Sequence, residues 1–397
     1  MNREDFPMLS NNIVYFDNGA TTLKPKCVID KMNEYYINHT SNIHRGDYDA
    51  ALKTNELYDN VRNIIGEFVN ADPNSVIYTS GTTMSINMVV FGFMRKYLKK
   101  GDEVLLNKAE HASNILPWIK LSEEIGIIIK YIPLNDDYSL SLNNIKKCVT
   151  KNTKVISLAH VTNVIGDVRD IHGIGKYCHD NNILFNVDGA QSVPHMKVDF
   201  NNSNIDFLSF SGHKMCGPTG VGVLIGKMEL LKKMDPIFYG GGMNNYFEED
   251  SSYELKSIPT RFEAGTPPIA EVIGLGEAIK YLINIGIDKI HEHEISLKNY
   301  LIEKVKDIEN VIIYNKSSNS GILALNVDGV FAQDLSVFLN KYNICVRAGN
   351  HCAKMLKDVM NVKNTVRVSM YFYNNYDDID RLVEALKNNK EIFNVII

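Results

Sequence analysis

Six short apolar runs, each closing on polar residues, recur between positions 75 and 211. They are "SVIYTS" (75–80), "DEVLLN" (102–107), "IIIKYIPL" (127–134), "KVISLAH" (154–160), "ILFNVD" (183–188) and "IDFLSFS" (205–211). Segments of helical period lie between them, from Thr82 to Leu98, over 113–125 and over 169–181. Apolar strands separated by helices imply a mainly parallel sheet covered on both faces, an α/β fold. "GVGVLIG" at 220–226 adds a seventh strand.

A chain of 397 residues exceeds the needs of one small core. The pattern assigns a large domain to 15–268 and a smaller α+β domain to 1–14 plus 269–397. In the latter a helical pattern over 269–308 precedes the strands "VIIYN", "GILALNV" and "ICVRAG" and a helix at 377–390. Between the two, "YGGGMNNYFEEDSSYELKSIPTRFEAGTPP" has little periodicity and many turn formers, so 236–268 reads as a long surface excursion.

Charge and cysteines narrow the function. A net charge of −5 without a basic block disfavours nucleic acid as a partner. No run of eighteen apolar residues could span a membrane, and the N-terminus carries acids instead of an apolar signal core. A cytoplasmic protein is the expectation. None of the six cysteines forms a CxxC pair, and their spacing suits neither a disulfide framework nor a zinc knuckle. No metal is expected.

In an open parallel sheet, ligands bind at the carboxyl ends of the strands. Five strands here end in Ser80–Gly81–Thr82–Thr83, Glu110–His111, His160 with Asn163, Asp188 with Gln191, and Ser211–Gly212–His213–Lys214. Each has an ordinary reading. Thr82 and Thr83 either cradle an anion at a helix start or simply cap that helix. Asp188 either caps a turn or holds a cationic ring nitrogen, and Lys214 either points to water or forms a Schiff base. The Walker A and GxGxxG patterns are absent, which disfavours ATP and NAD. The coincidence of cradle, strand-end Asp and strand-end Lys favours an electron-sink cofactor.

"VDGAQSVPH" followed by "SGHK", with 26 residues from Asp188 to Lys214, resembles the class V branch of the pyridoxal-phosphate enzymes of fold type I. "YFDNGATT" (15–22), "NIHRG" (42–46), "EHASNILPW" (110–118), "RFEAGTPP" (261–268), "RAGNHCA" (347–353) and "RVSMYFYN" (367–374) narrow the resemblance to cysteine desulfurases. The short RxGxHCA segment is similar to the SufS/CsdA group, also called group II. The resemblance covers nearly the whole chain.

It implies pyridoxal 5'-phosphate as cofactor and a role for each residue. Lys214 carries the cofactor and moves the substrate Cα proton. Asp188 keeps the ring nitrogen protonated, Gln191 bonds the ring hydroxyl oxygen and His111 stacks on the ring. Thr82, Thr83, Ser211 and His213 form the phosphate site. Thr266 completes that of a neighbouring subunit, implying a homodimer. Arg367 and Asn163 bind the carboxylate of L-cysteine, with Arg347 beside them. Cys352 is the nucleophile that takes the sulfur, leaving L-alanine and passing the sulfur to a SufE- or SufU-like acceptor for iron–sulfur cluster assembly. Cys216, two residues beyond Lys214, reads as packing.

Three positions depart from the family pattern: Ala112 and Asn350, where histidines are common, and "TPP" at 266–268. Competing readings are a selenocysteine lyase, another class V reaction such as transamination or C–S elimination, and a non-catalytic sulfur-transfer scaffold.

Overall fold

Alternate residues of the expected strands face two different apolar layers. Val76 and Tyr78, Leu105, Ile156 and Leu158, and Leu208 and Phe210 belong to one buried cluster. Their chain neighbours Ile77, Val104 and Leu106, Val155, and Phe207 belong to another. Period two on a strand apolar at every position buries both faces of a sheet.

The computed structural model, which describes residues 3–392, forms that sheet from seven strands. They are β1 (Val76–Thr79), β2 (Glu103–Asn107), β3 (Ile128–Ile132), β4 (Thr153–Ala159), β5 (Leu184–Asp188), β6 (Phe207–Ser211) and β7 (Gly222–Gly226). Their spatial order is β3-β2-β4-β5-β6-β7-β1. Only β7 runs against the rest, antiparallel to both β6 and β1. The carboxyl ends of β1, β2, β4, β5 and β6 therefore share one edge.

The edge strand β1 is closed by side chains from outside the sheet. Arg62 donates to the Val76 carbonyl at 2.6 Å, and Glu263 accepts the Tyr78 N–H at 2.8 Å. Arg62 and Glu263 also pair with each other at 2.7 Å. Outward-facing strand groups are thus satisfied, and the excursion is anchored to the sheet.

Three elements differ from expectation. The helix starting at Thr82 widens to a π-helix over Met88–Met94 and ends at Tyr97. The pattern over 269–308 is two helices, Ile269–Ile285 and Ile287–Val305, broken where Gly286 turns with φ +93°. The excursion contains a hairpin, β8 (Asn244–Phe247) and β9 (Tyr253–Leu255). Its side chains are largely exposed, so no alternation of burial marked it.

A second, antiparallel sheet contains β10 (Val311–Tyr314), β11 (Ile322–Val327), β12 (Arg347–Gly349) and β13 (Thr365–Ser369), in the order β10-β11-β13-β12. Leu323, Leu325, Val366 and Val368 pack with Leu297, Leu301, Phe338, Ile379 and Leu382 of the helices around it. Val14–Tyr15 pairs in parallel with Ile344–Cys345, which draws the N-terminal segment against this layer. Residues 1–2 and 393–397, the ends of the proposed smaller domain, lie outside the described residues. Among the described residues, no helix is long and apolar enough to cross a membrane, and no group of His, Cys, Asp or Glu could hold a metal ion.

Candidate active site

The strand ends converge on a cavity of about 280 Å³. Lining it are Thr82 and Thr83 after β1, His111 after β2, Asn163 after β4, Asp188 and Gln191 at and after β5, and Ser211, His213 and Lys214 after β6. The second sheet contributes Arg347 and Arg367, and the loop after Arg347–Gly349 contributes Cys352. Every expected site residue lies here except Thr266.

One end is a cradle of hydroxyls. Ser211 Oγ accepts the Thr82 N–H at 2.9 Å and lies 2.7 Å from Thr82 Oγ1. Gly81 stands at φ +149° against Gly222 of β7, where an added Cβ would come within 2.4 Å of the Gly81 Cα. Two glycines thus let the turn approach the sheet closely. Thr83 Oγ1 lies 2.7 Å from Ser113 Oγ. Ser113 in turn donates its N–H to His111 Nδ1 at 3.1 Å, so the neutral ring carries its hydrogen on Nε2. Burial, then the charges of Lys214, Arg347 and Arg367, pull His111 down to about 4.

Lys214 closes the three-residue turn Gly212–Lys214. The carbonyl before it, that of His213, accepts from Thr22 N–H and Thr21 Oγ1 at 3.0 Å, from Thr22 Oγ1 at 3.1 Å and from Lys24 Nζ at 3.0 Å. The turn is therefore fixed from the N-terminal "GATT" segment. Burial draws the Lys214 ammonium down to about 8; Asp188 opposes this, while Arg367 and Arg347 add to it. A lysine so placed reaches its neutral, nucleophilic form far more readily than a free lysine. His213 is also lowered to about 4, by burial and then by Lys214 and Lys24.

Asp188 is buried, and the Ala190 N–H bonds its Oδ1 at 2.9 Å. Burial raises its pKa, against that backbone bond and the Lys214 and Arg169 charges. Such a carboxylate suits a cationic partner. Gln191 donates to the Gly19 carbonyl at 2.7 Å, and its buried Oε1 has no protein partner.

At the far end, Arg367 is buried with Nη1 on the Asn163 carbonyl at 2.9 Å and Nη2 on Asp17 at 3.0 Å. Its Nε is unpartnered. Arg347 sits opposite Arg367 in the β12–β13 register. Two guanidiniums at one end of a cavity suit an anionic group such as a carboxylate.

The chain leaves β12 into the loop that presents Cys352. His351 (φ +49°) and Cys352 (φ +59°) both adopt the left-handed region, which disfavours each by ~1–2 kcal/mol. His351 is buried, with Nε2 3.0 Å from the carbonyl and Oγ1 of Thr365. The carbonyl can only accept, so Nε2 carries the hydrogen. Burial, then Arg367, pushes this imidazole down to about 3. Cys352 is exposed, and of the six cysteines it alone is so among the described residues. Cys216 is fully buried and its thiol is pushed up to about 12 by burial, in keeping with packing.

Several supports of the site carried no sequence signal beyond their neighbourhood. Arg169 and Glu110 form a fully buried ion pair. Glu110 also accepts from the Ala159 N–H at 2.7 Å and Asn114 at 2.8 Å, tying the ends of β2 and β4 together below His111. Asp17, Ser113 and Lys24 were likewise unassigned. Ser113 lies two residues after His111, the spacing of a side-chain helix cap, which was the available clue.

Thr266 lies elsewhere. It is exposed, 3.3 Å from Asn42 Nδ2, beside a separate hollow of about 440 Å³ lined in part by His44, Arg45, Lys256 and Pro267. Two of the quoted motifs, "NIHRG" and "RFEAGTPP", meet there.

The residues of the first cavity fit pyridoxal 5'-phosphate: a hydroxyl cradle, a buried carboxylate awaiting a cation, an orphaned Gln191 oxygen and a lysine whose pKa is drawn down. Residues 14–382 match the class V aminotransferase family. A probable cysteine desulfurase of Staphylococcus aureus is 40% identical over 399 residues, covering 98% of this chain and 96% of its own. Among solved structures, the apo cysteine desulfurase of Thermococcus onnurineus superposes with a TM-score of 0.94 at 34% identity, covering 98% and 96% of the two chains. The Escherichia coli cysteine desulfurase CsdA, solved as the S-sulfonic acid, gives 0.93 at 34% identity and 98% of both chains. The chain belongs to the cysteine desulfurases of the class V aminotransferase family.

Proposed function

We propose that this chain is a pyridoxal-phosphate-dependent cysteine desulfurase that converts L-cysteine to L-alanine through a persulfide on Cys352. The observation that carries this reading is that Lys214, Arg367 and Cys352, from three separate parts of the chain, line one cavity. Bound there, the cofactor's cationic ring withdraws electrons from the substrate Cα and so weakens the Cβ–S bond.

The chain's own residues do the rest. Lys214 holds the cofactor and moves the proton at the substrate Cα, which a pKa near 8 allows. Asp188 keeps the ring nitrogen charged, Gln191 holds the ring oxygen and His111 lies against the ring. Thr82, Thr83, Ser211 and His213 hold the phosphate. Arg367, with Asn163 and Arg347, binds the substrate carboxylate. The Cys352 thiolate attacks the substrate sulfur; the Sγ–S bond forms as the Cβ–S bond breaks, its electron pair passing to the carbon side. Protonation of that fragment gives L-alanine, and an acceptor thiol later takes the sulfur.

The partners belong to the same proposal. An exposed Thr266 beside the "NIHRG" segment, away from the cavity of its own chain, supports a homodimer in which these segments serve the neighbouring site. An exposed Cys352 supports direct delivery to a SufE- or SufU-like protein in the cytoplasm for iron–sulfur cluster assembly. The test is alanine release by the cofactor-loaded enzyme from L-cysteine, L-selenocysteine and L-cystine in parallel. Alanine from L-cysteine with a thiol acceptor supports the proposal. Pyruvate without alanine would replace it with elimination chemistry.

A further inference from the structure

Two consecutive backbone carbonyls of the cysteine loop are held by residues from the opposite wall of the cavity. The His351 carbonyl accepts from Asn163 Nδ2 at 2.7 Å. The Cys352 carbonyl accepts from the Ala112 N–H at 2.8 Å. These are the same two residues whose left-handed backbone is intrinsically disfavoured. Without the two bonds such a pair would relax toward ordinary backbone and carry the thiol with it.

From this geometry we infer that Ala112 and Asn163 are positioning residues for Cys352, forming a two-point clamp that aims its sulfur over the cavity. The inference rests on the reading of Cys352 as nucleophile. Ala112 acts through its N–H alone, which explains how an alanine can stand at this place in the loop after β2. The Asn163 amide has two N–H groups and spends one on His351. The other is free to meet the carboxylate held by Arg367, whose Nη1 already bonds the Asn163 carbonyl. One side chain thereby links substrate binding to the cysteine loop, and occupancy tightens the clamp.

The backbone provides a probe. His111 has φ −64° and ψ 147°, the conformation a residue preceding proline prefers, and Ala112 opens a 3-10 turn. Ala112→Pro therefore suits the local backbone, removes the donor and sets its ring Cδ against the Cys352 carbonyl, opening that point of the clamp, whereas Ala112→Gly keeps the donor. Amide hydrogen exchange of residues 350–354 is measured on the cofactor-loaded wild type, Ala112→Pro, Ala112→Gly and Asn163→Ala, each with and without L-alanine as the probe. We expect about fivefold faster exchange in Asn163→Ala, the weight of one hydrogen bond, and at least as much in Ala112→Pro, where the ring contact adds to the lost bond. Ala112→Gly should stay near wild type, and L-alanine should slow exchange in wild type and not in Asn163→Ala. In single turnover, Ala112→Pro should slow persulfide formation on Cys352 while the substrate midpoint of the cofactor absorbance change is kept. Wild-type exchange in both Ala112→Pro and Asn163→Ala would overturn the clamp, as would a wild-type loop indifferent to L-alanine. Exchange needs no turnover, so a chain that releases no alanine would fail the desulfurase reading separately.

Discussion

Arg367 and Asp17 form an ion pair at 3.0 Å in which the arginine is buried and the aspartate partly open to solvent. The aspartate occupies one prong of the guanidinium while Nε stays unpartnered. The arginine is thus held in place before substrate arrives, with donor capacity in reserve. Arg367→Lys keeps the charge and loses the fork. We expect KM for L-cysteine to rise roughly a hundredfold, about 2–3 kcal/mol, for loss of a charge-assisted pair, with cofactor loading unchanged. Steady-state kinetics and a cofactor titration check both halves.

The Lys214 amine gives a pH prediction with a definite sign. Burial lowers it from 10.5 to about 8, so the reactive neutral form accumulates above about 8 instead of above 10.5. Capture of pyridoxal 5'-phosphate by the cofactor-free chain should accelerate with pH up to a midpoint near 8. The Asp188 charge raises this pKa, so Asp188→Asn should move the midpoint lower. Stopped-flow absorbance across pH 6–10 checks both, with ~ tenfold rate change per unit below the midpoint. A midpoint that rises in Asp188→Asn would contradict the electrostatics.

The fully buried Arg169–Glu110 pair is a stability element under the site. Glu110→Gln leaves the buried Arg169 guanidinium with Asp167, 3.4 Å away, as its remaining carboxylate and should cost about 3 kcal/mol. Arg169→Met leaves two buried carboxylates, Glu110 and Asp167, without their cation and should cost more than Glu110→Gln. Urea midpoints of the wild type and the two variants decide this.

Cys216 and Cys352 should separate chemically. Burial keeps the Cys216 thiol protonated, with a pKa of about 12, and inaccessible. Iodoacetamide should label Cys352 at least tenfold faster than Cys216, as a solvent-open thiol differs from a buried one. Cys216→Ala should retain alanine formation from L-cysteine. Peptide mass spectrometry and a product assay report these outcomes.

Much of the large sheet was legible because its strands are apolar at every position and end in polar residues. That same pattern places Thr82, His111, Asn163, Asp188 and Ser211 at one edge of the sheet. Lys214 and Cys352 needed the family motifs, since a lone lysine or cysteine has an ordinary reading in isolation. Asp17, Ser113 and Arg169 stayed hidden because their roles depend on partners 350, 30 and 59 residues away. The hairpin at 244–255 was missed because its side chains face outward, where no burial pattern writes itself into the sequence. The break at Gly286 was missed because the apolar stripe continues on both sides of it.

The central claim is that Cys352 takes the sulfur. The direct measurement is alanine formed from L-cysteine by the wild type and by Cys352→Ala, at matched cofactor occupancy and with a thiol acceptor present. We predict alanine from the wild type and a loss of about a hundredfold or more in the variant, as expected when a covalent nucleophile is removed. Equal alanine from the two proteins would contradict the account.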